Sequence, residues 1–289
     1  MNSNPLFSVL IANYNNGCFL QDAIDSVEAQ SYTNWEIILV DDKSTDNSFE
    51  IYEKYRDDSR FQIYYNEENK GCGYTKRRCA EMANGDICGF LDPDDTLENN
   101  ALEVMVNCHL SNAEASMVYS RLNCVDLNMH VLRTTSLRPI PAGESLLTFP
   151  CWSSFVAYKR EAYLKTEGID ASARRAVDND LCYKLEEVGA VLSVNKVLYN
   201  YRIATGNNIS MGGNAYKAFA WQLKMVANAC KRRGIESKME DVLAANIQRL
   251  VEEVRIAEAD KVRSTRPYRL GKAILKPFMG MKKMIKALR

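Results

Sequence analysis

Ile87-Cys88-Gly89-Phe90-Leu91-Asp92-Pro93-Asp94-Asp95 is an apolar run that ends in three carboxylates within four residues. Carboxylates this close repel one another and raise each other's pKa, a penalty that a bound cation removes. Aspartate oxygens suit hard divalent ions such as Mg²⁺ or Mn²⁺. The apolar run has the length of a buried strand, and open α/β sheets bind ligands beyond the C-terminal ends of their strands. Two readings compete: a metal site on the rim of a sheet, or an acidic turn that caps the next helix, because Asp is a good N-cap.

The flanking sequence favours the first. Phe7 to Ala12 is apolar apart from Ser8 and runs into the turn residues Asn13-Tyr14-Asn15-Asn16-Gly17. Leu20, Ala23, Ile24 and Val27 then repeat at helical spacing. Trp35 to Val40 reads as a second strand, ending in the polar loop Asp41-Asp42-Lys43-Ser44-Thr45-Asp46. Phe49, Ile51, Tyr52 and Tyr55 suit a helix, Phe61 to Tyr65 a third strand, and Thr75 to Ala83 a third helix stopped by Asn84-Gly85. The opening stretch is the fourth strand, and Leu97, Ala101, Leu102, Met105 and Val106 give the next helical face. Near-continuous apolar strands alternating with helices predict a mostly parallel sheet covered on both faces, with right-handed crossovers. Tyr14, Asp42 and the Asp cluster then share one rim. Capping explains any one of these loops but not their convergence.

The second half is less regular. Met117 to Ser120 is a further strand, and Leu122 to Pro150, with three prolines, holds a hairpin and a surface loop. Trp152, Phe155 and Tyr158 suit either the core or a wall on which a sugar stacks. Val177-Asp178-Asn179-Asp180 precedes a helical face at Leu181, Leu185 and Val188, Val191 to Leu198 is a strand, and Tyr199 to Arg202 leads into a Gly/Asn loop through Gly213. Beyond that the pattern is helical only, from Phe219 to Cys230 and again at Leu243, Ile247, Leu250, Val251 and Val254.

The totals exclude several classes. The 37 acidic and 37 basic residues balance, so no global charge points to nucleic acid. Nine cysteines without CxxC spacing argue against a disulfide framework or a zinc ribbon. With two histidines only, and His109 in a helical pattern, a histidine mechanism has little to work with. No signal peptide and no membrane-spanning apolar run is visible, which predicts a cytoplasmic protein.

Taken in order, Val9-Leu10-Ile11-Ala12-Asn13-Tyr14-Asn15, Val40-Asp41-Asp42-Lys43-Ser44-Thr45-Asp46, Phe90-Leu91-Asp92-Pro93-Asp94-Asp95 and Asp178-Asn179-Asp180-Leu181 resemble glycosyltransferase family 2. The resemblance covers about residues 6 to 210, and four motifs in the right order make it specific. It implies the type A glycosyltransferase fold: a Rossmann-like, mostly parallel twisted sheet flanked by helices. A nucleotide-sugar-binding half (1–120) and an acceptor-binding half (121–213) would form one domain, followed by a helical extension (214–289) with a basic amphipathic tail.

The resemblance also implies roles. Ala12 and Tyr14 would hold the base, Asp42 would hydrogen-bond it, and Asp92 would contact the ribose or donor sugar. Asp94, with Asp95, would bind Mn²⁺ or Mg²⁺ bridging the phosphates, and Asp178 would be the catalytic base, Asp180 being its alternate. Lys76 or Arg77 would lie near the donor and Arg202 near the diphosphate. The reaction implied is inverting transfer from a nucleotide-sugar, commonly a UDP-sugar, to a saccharide or lipid-linked saccharide, in bacterial surface polysaccharide synthesis. Two positions depart from the common pattern: Ala12 in the first strand, and Val177 where a Glu usually precedes the base. No Gln-x-x-Arg-Trp motif is present, which implies single addition rather than processive polymerisation.

Rival classes are a haloacid-dehalogenase-like phosphatase using Asp92 as nucleophile, and a non-catalytic nucleotide-sugar-binding protein. A calcium loop is weaker, because Leu97 stands where the EF-hand needs Gly. From Lys261 to Arg289 there are ten Lys or Arg and no acidic residue. Residues 266–289 alternate basic and apolar positions and can lie on an anionic membrane surface, which would make the protein peripheral on the inner face of the plasma membrane. A helix packed on the body, or on the second subunit of a homodimer, is the equal reading.

Overall fold

β1 (Phe7–Asn13), β2 (Trp35–Asp41), β3 (Phe61–Tyr65) and β4 (Ile87–Phe90) pair in parallel, in the spatial order β3-β2-β1-β4. Their crossovers are α1 (Gly17–Glu28), α2 (Ser48–Lys54) and α3 (Cys72–Met82). Every residue of β2 is buried, as a strand covered by helices on both faces requires. Register places the rim loops: Asn13 of β1 lies opposite Asp41 of β2, so the loops beginning at Tyr14 and Asp42 leave the sheet side by side. The computed structural model describes residues 3–137, 139–149, 155–203 and 215–264.

The second half extends the same sheet with both antiparallel and parallel pairings. The two-residue strand β5 (Thr96–Leu97) is followed by α4 (Ala101–Ser111), β6 (Ala115–Val125), β7 (Val131–Thr134) and β8 (Val156–Lys159). After the short α5 (Arg160–Tyr163) come α6 (Val177–Glu186), β9 (Ala190–Arg202) and α7 (Ala215–Arg232). The full order is β3-β2-β1-β4-β8-β6-β9-β5, with β7 on β6. β8 runs antiparallel to both β4 and β6, and so stitches the halves together, while β6 lies parallel to β9.

Aromatic packing seals that seam. Phe155 stacks on Phe7 at 6.4 Å and on Tyr199 at 6.0 Å, joining both halves in one core. Gly89 leaves room for this: a Cβ there would meet the Phe155 ring at 3.1 Å and the Phe7 ring at 3.2 Å. Of the three aromatics with two readings, Phe155 and Tyr158 are therefore core. Trp152 lies outside the described residues. Each such large apolar side chain contributes about 1.5–3 kcal/mol on burial.

Some elements differ from the sequence reading for identifiable reasons. Thr96-Leu97 pairs with Tyr199 and Asn200 of β9 instead of opening the helix, which starts at Ala101. The helix after the Asp178 motif begins at Val177, not Leu181, because Ala176 adopts the left-handed region (φ 55°) and turns the chain into it. His109 is buried on α4 with Nε2 3.1 Å from the Ala157 carbonyl, a packing position.

The chain divides into two compact units, Met1–Met239 and Glu240–Arg289. α7 belongs to the first unit, where Arg232 and Arg233 pair with Glu187 and Glu186 at the end of α6. α8 (Met239–Ser264) supplies the described part of the second unit, with Ile247 and Val251 exposed. No described helix is long and apolar enough to cross a membrane. The basic tail 266–289 lies outside the described residues.

Candidate active site

A cleft of about 750 Å³ opens at the C-terminal rim of the parallel strands. Ala12, Tyr14, Asp42, Lys76, Asp92, Asp94 and Asp178 all line it. Seven of the ten residues singled out from sequence thus converge, although they come from positions up to 166 apart in the chain (178 − 12).

At one end the loops after β1 and β2 clasp each other. Asn15, at φ 53°, donates its N–H to Ser44 Oγ (2.9 Å), and its side-chain oxygen accepts from the Thr45 N–H (2.7 Å). Asp46 accepts from the Gly17 N–H (2.8 Å) and the Ser48 N–H (3.0 Å), satisfying the first turns of α1 and α2 at once. Tyr14 is left 46% exposed on this braced turn. Asp42 is buried beside it, accepting from Asn66 Nδ2 (2.7 Å), the Lys70 N–H (2.8 Å) and the Gly71 N–H (2.8 Å). Its carboxylate therefore shapes the loop that leads into α3.

At the other end the three carboxylates of the opening motif separate. Asp92 and Asp94 line the cleft. Asp95, expected beside Asp94 as a metal ligand, turns inward instead. It is 1% exposed, and its oxygens accept from the Arg202 N–H (2.7 Å) and the Tyr199 hydroxyl (2.8 Å). Burial, with Asp94 and Asp92 close by, pushes its carboxyl well above the usual range. It fastens β9 to the motif.

Lys76 lies at the centre. Its side chain is 6% exposed, with Nζ 2.8 Å from Asp178 Oδ1 and 3.0 Å from Asp92 Oδ1. Burial works against its charge, yet Asp178 and Asp92 outweigh that effect and raise its pKa well above the ordinary lysine value. Asp178 is the second residue of α6, with a side chain 62% exposed, so it is both tethered and reachable. A carboxylate in the first turn of a helix is also favoured by the helix dipole. Asp180 is not its equal. It is buried, accepting from Lys184 Nζ (2.6 Å) and the Asp170 N–H (3.2 Å).

Two expected cations lie elsewhere. Arg77 lies outside the cleft, donating to Glu81 (2.8 Å) and the Ile169 carbonyl (3.1 Å). Arg202 is 1% exposed, paired with Asp22 at 2.8 Å and stacked over Phe19 at 4.6 Å. Adjacent positions on a helix face different directions, so Lys76 and Arg77 could not share one role. Sequence reading passed over Asn69, Arg174, Arg175, Asn179 and Tyr201, which also line the cleft. The adjacent pair Arg174-Arg175, just upstream of Asp178, was the available signal.

The donor set bears on a metal. Among the described residues no group of three or more His, Cys, Asp or Glu side chains could hold one. Asp94, with Asp92 nearby, offers hard carboxylate oxygens without an all-protein cage. That fits Mg²⁺ or Mn²⁺ held by one or two carboxylates and completed by substrate phosphates and water.

The parallel β3-β2-β1-β4 core with its mixed extension and rim cleft is the type A glycosyltransferase fold. TarS of S. aureus in complex with UDP-GlcNAc shares it, with TM-score 0.66 and 18% identity, covering 83% of this chain and 71% of that one. So does a mannosyltransferase from Pyrobaculum calidifontis in complex with GDP-Man and Mn²⁺, with TM-score 0.61 and 15% identity, covering 94% and 84%. A family model described as glycosyl transferase family 2 matches residues 8–165, and the chain belongs to that family. Chondroitin synthase of Escherichia coli is 29% identical over 207 residues, which are 72% of this chain and 30% of the synthase. Hyaluronan synthase of Pasteurella multocida is 30% identical over 212 residues, 73% of this chain and 22% of that synthase. The chain thus spans less than a third of the length of these two relatives.

Proposed function

We propose that the chain transfers a sugar from a UDP-sugar to a hydroxyl of a saccharide acceptor, free or lipid-linked, with inversion at the anomeric carbon, in bacterial surface polysaccharide synthesis. The observation that carries this reading is the Lys76 ammonium joining Asp92 to Asp178 across the cleft, at 3.0 and 2.8 Å. It ties the donor half to a reachable carboxylate on the second half. The names of the relatives, chondroitin and hyaluronan synthase, support a polysaccharide product.

In this reading Tyr14 and Asp42 hold the base, and Asp92 holds the ribose or donor sugar. Asp94 holds Mg²⁺ or Mn²⁺, which when bound supplies Lewis-acid stabilisation of the leaving diphosphate. Asp178 accepts the proton of the acceptor hydroxyl as its oxygen attacks the anomeric carbon. The bond from that carbon to the phosphate oxygen breaks, and its electron pair leaves with the nucleoside diphosphate. General-base help of this kind contributes about 10²–10⁴-fold. One base and direct displacement give inversion, with no second carboxylate serving as a nucleophile. Lys76 keeps Asp178 from swinging away and holds its charge in place.

The phosphatase reading requires a free nucleophilic Asp92, whereas its Oδ1 is engaged by Lys76 and it follows β4, not β1. A thermal-shift screen of nucleoside diphosphates with and without Mn²⁺ tests the donor site, because a ligand that binds only the folded state raises its stability. UDP should stabilise the protein, most with Mn²⁺. No shift with any nucleoside diphosphate would end the reading. For the tail, the proposal is contact with an anionic membrane, and removing residues 266–289 should abolish binding to anionic liposomes.

A further inference from the structure

We infer that Tyr199 is a positioning residue for the metal: its hydroxyl holds the turn of residues 92–95 so that the Asp92 and Asp94 carboxylates stay in the cleft. The inference rests on the proposal that Asp94 holds Mg²⁺ or Mn²⁺. Tyr199 does not itself line the cleft, and it lies 107 residues beyond Asp92 in the chain.

The turn works against itself. Three carboxylates within four residues repel one another, and until a cation arrives that repulsion favours splaying them apart. Local geometry resists this in part. The Asp95 N–H donates to the Asp92 carbonyl at 3.0 Å, closing a four-residue turn with Pro93 at its second position, where proline's fixed φ is suited. Within the turn the residues alternate. Asp92 and Asp94 are half-buried and line the cleft, whereas Pro93 and Asp95 are buried. A closed turn fixes its own shape but not its orientation, which takes contacts from outside.

Tyr199 supplies them through one atom. Its hydroxyl donates to Asp95 Oδ2 at 2.8 Å and accepts from the Asp92 N–H at 3.1 Å, so both ends of the turn converge on one oxygen. A phenolic hydroxyl has one hydrogen to give and lone pairs to receive, and both capacities are used here. The oxygen is itself anchored. Tyr199 is buried, its ring stacks on Phe155 at 6.0 Å, and its backbone pairs with Leu97 on one side and Leu122 on the other.

Other bonds from β9 act further along the motif. The Arg202 N–H donates to Asp95 Oδ1 at 2.7 Å, and the Leu198 carbonyl accepts from the Glu98 N–H at 3.0 Å. These fasten Asp95 and β5. Among the described residues of β9, the Tyr199 hydroxyl is the group that reaches Asp92. Lys76 holds the Asp92 carboxylate at 3.0 Å, so Asp92 is fixed at both main chain and side chain. Removing the hydroxyl therefore leaves the strand pairing in place and releases the start of the turn.

The test is calorimetry of UDP on the full chain, in chelator and at one fixed Mn²⁺ concentration, for wild type, Tyr199→Phe and Phe61→Leu. A metal that tightens UDP is itself held more tightly with UDP by the same factor, so the ratio of the two UDP constants reads the metal site. Tyr199→Phe keeps the stacked ring and loses only the hydroxyl. Phe61→Leu controls for general destabilisation, because Phe61 starts β3, at the end of the strand away from the cleft, and stacks on Tyr55. Tyr199→Phe should lose about tenfold of the Mn²⁺-dependent tightening, the lower end for a lost partner behind a metal ligand. Its UDP affinity in chelator, and both constants of Phe61→Leu, should change by less than about twofold, as expected for independent sites. Undiminished tightening in Tyr199→Phe would overturn the inference. So would equal weakening with and without Mn²⁺, or an equal loss of tightening in Phe61→Leu. If Mn²⁺ does not tighten UDP on wild type, the metal reading fails and takes the inference with it, a result distinct from a Tyr199→Phe variant that responds to Mn²⁺ as wild type does.

Discussion

Lys76 Nζ lies 2.8 Å from Asp178 Oδ1, so α3 and α6 are joined by an ion pair at the centre of the cleft. The pKa of Lys76 is raised above its ordinary value, despite burial, by Asp178 and then Asp92. A raised lysine pKa gives stability that is full below the ordinary value near 10.4 and is lost only as pH rises through the higher folded value. The bridge is therefore intact throughout the neutral range. Removing one partner of a buried pair costs about 3–5 kcal/mol. Because the Asp178 and Asp92 side chains are 62% and 43% exposed, solvent screening reduces that figure. Lys76→Met should lower the unfolding free energy by about 1–2 kcal/mol in urea titrations. The Lys76→Met/Asp178→Asn double variant should lose less than the sum of the singles, and strict additivity would contradict the pairing.

Gly73 tests how tightly the halves must fit. An added Cβ would strike backbone carbonyl oxygens at 2.4 and 2.5 Å, which cannot swing aside as a side chain can. Gly73→Ala should destabilise by about 1–3 kcal/mol. It should also lower transfer activity, because the 170–173 turn leads directly to Asp178 and small displacements of reacting groups slow chemistry steeply. A variant with normal stability and turnover would show that the turn has slack.

His109 gives a pH signature unrelated to catalysis. Burial lowers its pKa from the ordinary 6.5 to about 4. A depressed histidine pKa means that the unfolded chain takes up a proton first, so its stabilising effect is full above pH 6.5 and fades as pH falls toward 4. Between pH 7 and pH 5 this group alone should remove about 2 kcal/mol, at 1.36 kcal/mol per unit. Urea midpoints of wild type and His109→Gln should converge as the pH drops to 5. Parallel curves would mean that His109 titrates alike in the folded and unfolded chain.

Asp94 carries the metal proposal. Chelation should abolish sugar transfer, and Mg²⁺ or Mn²⁺ should restore it. Asp94→Asn should lower turnover by about 10²–10³-fold at fixed metal, the equivalent of several kcal/mol of lost charge stabilisation. Asp95→Asn should act instead through stability, because Asp95 faces β9 and not the cleft. Full activity after exhaustive chelation would remove the metal from the account.

The parallel half of the fold was legible because period and polarity agree there: apolar runs such as Ile37-Ile38-Leu39-Val40 can only be buried strands between helices. Convergence of Tyr14, Asp42, Asp92 and Asp94 came from topology alone, since parallel strands end on one rim. The hidden features depended on long-range pairing. Thr96-Leu97 is a strand only because Tyr199 and Asn200 lie beside it. Asp95 carries the same local signal as Asp94, and the difference is made by the Arg202 N–H and the Tyr199 hydroxyl, over a hundred residues away. Arg77 and Lys76 are equivalent as charges, and only the rotation of α3 separates them. Ala176 at φ 55° gave no warning, because alanine rarely adopts that region.

The most direct test of the central claim is sugar transfer from a UDP-sugar by Asp178→Asn, measured beside its UDP affinity. Asn retains an oxygen that can accept from Lys76 but cannot take a proton from the acceptor. Transfer should fall by about 10²–10⁴-fold while UDP binds as it does to wild type. Transfer at the wild-type rate with UDP binding intact would contradict the assignment of Asp178 as the base.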